Sequence, residues 1–66
     1  MTYQERIRGL REDNDLTQKQ IADMLGVAQT TYSQYELCKR AIPIDCFIVL
    51  CKYYDVSADY LLGLQK

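Results

Sequence analysis

The chain has 66 residues, 48% hydrophobic and 26% charged, with eight basic side chains against nine acidic ones. A chain this short buries only about 60% of the surface that its unfolded form exposes, so its apolar residues go to one small core, with no room for a deep catalytic cavity or a second domain; residues 1–66 are read as one domain. The net charge of −1 removes the simplest case for nucleic-acid binding, a globally basic surface, and any such function must rest on where individual charges sit.

Cys38, Cys46 and Cys51 have no repeating spacing and histidine is absent, a pattern that suggests neither a disulfide framework nor a common zinc site. No Ser, Cys or Lys stands beside an evident base, so nucleophilic catalysis is not expected, and neither is an enzyme or a bound cofactor. No stretch approaches the roughly 20 apolar residues of a membrane span, and Met1 leads into Glu5, Arg6 and Arg8 where a secretion signal would be apolar. A cytoplasmic protein is the expectation.

The punctuation of glycines, proline and polar clusters divides the chain into five short helices. The first is expected over Tyr3–Asp13, N-capped by Thr2, with Ile7 and Leu10 inward, and ends in the run Glu12-Asp13-Asn14-Asp15. Arg6, Arg8 and Arg11 interleave with Glu5 and Glu12 and read as a solvated face. The second starts at a capping box, Thr17 with Gln20, with Leu16 stapled on Ile21. Its apolar face is Ile21, Ala22 and Leu25, and Gly26 supplies the left-handed turn that ends it.

The third helix must then begin almost at once, over about Gln29 to Leu37 behind an N-cap at Ala28. Tyr32 and Tyr35 point inward, and Gln29, Thr30, Ser33 and Gln34 outward. Pro43 opens a fourth helix of about Ile44 to Tyr54 with Phe47, Leu50, Cys51 and Tyr54 inward. The run Phe47–Cys51 has strand-like composition, but its continuation to Tyr54 keeps a helical stripe. Ser57 caps a short fifth helix, with Val56 stapled on Leu61 and Leu62 nearby. The helical spacing makes most tyrosines core or edge-of-core residues. The fold class expected is all-α, a compact five-helix bundle.

Gln18 to Tyr35 is the specific part. Ile21, Ala22, Leu25, Gly26, Val27, Tyr32 and Tyr35 have the spacing of a helix-turn-helix, with small Ala22 at the crossing and Gly26 in the turn. The run Leu16-Thr17-Gln18-Lys19-Gln20-Ile21-Ala22, then Leu25-Gly26-Val27, Thr30-Thr31-Tyr32-Ser33-Gln34-Tyr35-Glu36 and Lys39-Arg40, closely resembles the Cro/CI-type (XRE-type) helix-turn-helix family of phage and bacterial repressors. Pro43 and Asp55-Val56-Ser57-Ala58-Asp59-Tyr60-Leu61-Leu62 resemble that family's fourth and fifth helices. The resemblance implies a lambda-repressor-like domain that binds a double-stranded DNA operator, usually as a homodimer, with the third helix in the major groove.

Carried onto this sequence, the family's base-reading positions fall on Gln29, Thr30, Ser33 and Gln34, and its phosphate-contacting positions on Gln18, Thr31, Lys39 and Arg40. The chemistry suits both roles, since Gln pairs bidentately with adenine, and a helix N-terminus such as that at Gln18 favours a phosphate. Three positions depart from the family: Ala28 replaces a capping Ser or Thr, Leu37 a polar or basic residue, and Cys38 the glycine after the third helix. Transcriptional regulation, most often repression, is the function expected. The rivals are a protein-interaction module on the same scaffold, which associates through the fourth and fifth helices, and an antitoxin-like subunit that both binds DNA and holds a partner protein. The surface expected for self-association is Tyr53, Tyr54, Tyr60, Leu61 and Leu64.

Overall fold

Five helices follow one another in the computed structural model, which describes residues 2–64: α1 (Tyr3–Asp13), α2 (Gln18–Leu25), α3 (Gln29–Glu36), α4 (Ile44–Tyr54) and α5 (Ala58–Leu62). No strand occurs among the described residues, and the Phe47–Cys51 run lies inside α4, so the fold is all-α as expected.

Local chemistry sets the boundaries. Two capping boxes start helices: Thr2 with Glu5 opens α1 and Thr17 with Gln20 opens α2, each side chain reaching the other residue's backbone N–H. Ser57 Oγ accepts from the Tyr60 N–H at the start of α5. Ala28 before α3 and Pro43 before α4 have extended backbones but no side-chain cap. At the other ends the chain turns through left-handed residues: Asp15, Gly26, Cys38, Asp55 and Gly63 all have positive φ. Gly26 adopts this at no steric cost, whereas Cys38, at φ +61°, carries the strain of a side chain in that region.

The core is Ile7 of α1, Ile21 and Ala22 of α2, Tyr32 and Tyr35 of α3, Phe47 and Leu50 of α4, and Leu61 of α5. Helix α2 packs on α3, α1 on α3 and α5, and α4 on α5. Ala22 is 1% exposed, as the tight α2–α3 corner requires, and Val27 N–H closes the turn on the Ala22 carbonyl at 3.0 Å. Tyr3 ties α1 to the α3–α4 connection: its ring meets Phe47 edge-on and its hydroxyl accepts from the Ile42 N–H at 3.3 Å.

The last two helices correct the expected self-association surface. Leu61 is wholly buried and Tyr54 half-buried, because α5 turns its Leu61 side into the core against α1 and α4. Tyr53, Tyr60 and Leu64 are exposed as that surface required, so these two tyrosines do not belong to the core. Ile44, Ile48, Val49 and Leu62 are exposed beside them. Tyr3, Ile42, Ile44, Phe47 and Leu62 line an open apolar recess of about 230 Å³.

Candidate nucleic-acid interface

Helix α3 is amphipathic in an unusual way: its outer side is polar but uncharged. Tyr32, Tyr35 and Glu36 are buried, Gln29, Thr30 and Gln34 are exposed, and Thr31 and Ser33 are half-buried at the flanks. No ion pair among the described residues involves Gln29 to Gln34, and their side chains are not engaged in hydrogen bonds with other described residues. The four expected base-reading residues thus lie on one helix, three fully outward and Ser33 at the edge.

The end of α3 is a two-bond turn in which Cys38 N–H reaches the Tyr35 carbonyl at 3.3 Å and Lys39 N–H the Gln34 carbonyl at 3.0 Å. Left-handed Cys38 therefore replaces glycine without altering the turn, and its Sγ lies 3.6 Å from Thr2 Oγ1, the cap of α1. Leu37 is exposed and offers no polar contact. Lys39 and Arg40 follow, both exposed and in no ion pair among the described residues. Lys19 on α2 is offset by Asp23 at 3.1 Å, and Arg8 faces Glu12 at 3.7 Å, both pairs exposed.

Beneath α3 lies a charged cluster that the sequence reading missed. Glu36, 5% exposed, receives Arg11 Nε at 2.7 Å on one carboxylate oxygen, and Arg11 Nη2 and Gln18 Nε2, each at 3.1 Å, on the other. A further Arg11 nitrogen, Nη1, reaches the Leu16 carbonyl at 2.9 Å, just before the α2 cap. Arg11 is therefore no part of a solvated face: it bridges α1, the start of α2 and the end of α3. Arg6, too, is folded back, over the Tyr60 ring at 5.5 Å. Burial alone would raise the Glu36 pKa, yet the hydrogen bonds from Arg11 and Gln18, with the Tyr32 hydroxyl alongside, outweigh it and hold the group below its ordinary 4.5. The buried Tyr32 hydroxyl falls short of hydrogen-bond geometry with the carboxylate, and burial and that negative charge raise its pKa. Burial, with Tyr53 adjacent, pushes Tyr54 up to about 12.

Both missed charges had a signal. Arg11 follows Ile7 by four residues and Glu36 follows Tyr32 by four, so each continues a buried stripe, where a charge requires a partner of opposite sign. Gln18 is placed at the first turn of α2 as expected, but its carboxamide points inward to Glu36. The capping box engages the N–H groups of Thr17 and Gln20 and leaves those of Gln18 and Lys19 outside it.

A helix-turn-helix domain model matches residues 4–65. The chain is 42% identical over 62 residues to the uncharacterised HTH-type transcriptional regulator YobD of Bacillus subtilis (strain 168), an alignment that covers 94% of this chain and 55% of YobD. It is 35% identical over its full length to the HTH-type transcriptional regulator ImmR of the same strain, covering 52% of that protein. It is 33% identical over 61 residues to the cryptic phage CTXphi transcriptional repressor RstR of Vibrio cholerae, covering 92% of this chain and 55% of RstR. The chain thus spans about half the length of these curated relatives. No helix among the described residues is long and apolar enough to cross a membrane.

Proposed function

The chain belongs to the XRE-type helix-turn-helix family, and from that premise we propose that it is a sequence-specific DNA-binding transcriptional regulator, acting as a repressor by occupying its operator. The observation that carries this function is the outer side of α3: uncharged hydrogen-bonding side chains, without partners among the described residues, on a helix whose inner side is buried. In the major groove, Gln29 and Gln34 pair bidentately with adenine, and Thr30 and Ser33 bond to base edges or touch a thymine methyl. Thr31, Lys39, Arg40 and the free first-turn N–H groups at Gln18 hold the phosphates. The near-neutral net charge is no obstacle, because Lys39 and Arg40 are in no ion pair among the described residues while the basic side chains of α1 and α2 face carboxylates or a ring.

One short helix reads too few base pairs for useful specificity, so the operator is twofold-symmetric, with half-site centres about 34–36 Å apart, bound by a homodimer. The exposed apolar side chains of α4 and α5, Tyr53 and Tyr60 with Ile44, Ile48 and Leu62, support the pairing of two copies. A repressor role accords with the likeness to RstR. The test is selection of bound duplexes from a randomised pool, followed by sedimentation of the complex. Enrichment of a palindromic site bound by two chains is expected. A pool with no enriched sequence would refute DNA reading, and a 1:1 complex on one half-site would refute the dimer.

A further inference from the structure

We propose that Glu36 is a positioning residue for DNA docking: its buried carboxylate locks the end of the reading helix to the first turn of α2, so that base-facing and phosphate-facing groups meet the duplex as one rigid unit. This rests on the DNA-reading role of α3 given above.

Glu36 is the last residue of α3, and its side chain is 2% exposed. Arg11 reaches both its oxygens and balances its charge, and the carboxylate still has lone pairs for a further donor. The third donor is Gln18 Nε2, from the residue that opens α2, where two backbone N–H groups stand outside the capping box. Arg11 adds a bond to the Leu16 carbonyl on the other side of the Thr17 cap. One ion pair therefore grips α2 on both sides of its start and fastens it to the end of α3. The fastening matters because hydrogen bonds to a duplex hold only over a donor–acceptor window of about 2.7–3.2 Å, so a slide of α2 against α3 by roughly 1 Å takes one set of bonds out of reach while the other is engaged. The Gln18 carboxamide is committed inward, and this residue meets a phosphate with its backbone N–H, not its side chain.

The probe is the duplex that the parent chain enriches from a randomised pool. In the first arm, Arg11→Met is combined with Glu36→Leu, which replaces the buried pair by apolar side chains and is tolerated by the fold in other proteins. This double variant melts near the parent temperature and binds the duplex about tenfold more weakly, with the salt slope unchanged because the pair removed carries no net charge. In the second arm, amide resonances of the parent are followed with and without the duplex. The Gln18 and Lys19 backbone amides shift on binding, while the Gln18 carboxamide protons keep their shift and their protection. This arm needs no variant and decides the matter even where the double variant melts early. Parent-like binding by the folded double variant overturns the positioning role, and so does a Gln18 carboxamide that leaves Glu36 on binding. A parent chain that enriches no sequence overturns the DNA-reading role itself, and with it the positioning role.

Discussion

The α2–α3 pair and the α4–α5 pair each give buried residues to the same core, but they present opposite chemistry to water. On α3 the outward side chains are Gln29, Thr30 and Gln34; on α4 and α5 they include Ile44 at 68% exposure, Tyr53 at 51% and Leu62 at 49%. A polar, uncharged face is stable in water and also matches the donors and acceptors of base edges. A cluster of exposed apolar side chains gains nothing from water and is suited to burial against another apolar surface. The interior beneath them differs as well: α3 rests on an ion pair and a carboxamide, while α4 and α5 rest on Phe47, Leu50 and Leu61. The α2–α3 side is thus fixed by directional bonds and the α4–α5 side by packing.

The largest expected effect breaks this difference at its source. Arg11→Ala leaves the Glu36 carboxylate buried without its cation, and denaturant unfolding should show a loss of about 3–5 kcal/mol. Ile44→Ser on the opposite surface should change stability by no more than about 0.5 kcal/mol while weakening self-association in sedimentation. Comparable losses at the two sites would erase the distinction. Removing Lys39 or Arg40 should weaken binding to every duplex alike and lower the salt slope by about 0.9 for each phosphate that the side chain neutralises; a change confined to one sequence would make that residue a reader.

Acid separates the same two regions more gently. The Glu36 pKa is lower in the folded chain than its ordinary 4.5, so its stabilisation is complete above that value and fades as pH falls through the folded one. Melting temperature should therefore drop in acid, and less steeply in Glu36→Gln; identical profiles would mean that the pair contributes nothing. The smallest effect concerns the uncapped start of α3. Ala28→Ser offers the missing oxygen to a first-turn N–H and should add about 1 kcal/mol. A loss of that size would show that the extended Ala28 backbone does not accept a cap.

Much of this was legible from spacing. Thr17 and Gln20, three apart, fix the start of α2; Gly26 fixes its end; and Tyr32 and Tyr35 fix which side of α3 is inward. The second capping box, Thr2 with Glu5, has the same spacing and passed for a lone cap among interleaved charges. Arg11 and Glu36 escaped because they are 25 residues apart, and a charge on an apolar stripe has meaning only once its partner is brought to it by the fold. For Tyr54 the inward stripe of α4 was the better guide than the expected self-association surface; Leu61 escaped because α5 is five residues long, too short for its periodicity to say which side α1 and α4 cover.

The central claim is that the outer side of α3 reads sequence. Its most direct test is the affinity of the parent, Gln29→Ala and Gln34→Ala for the selected duplex and for a scrambled one, at fixed salt. Each substitution should cost about 1–3 kcal/mol on the selected duplex, relax selectivity at one base pair per half-site and leave scrambled binding unchanged. Equal binding of both duplexes by the parent, with both variants indistinguishable from it, would contradict the claim.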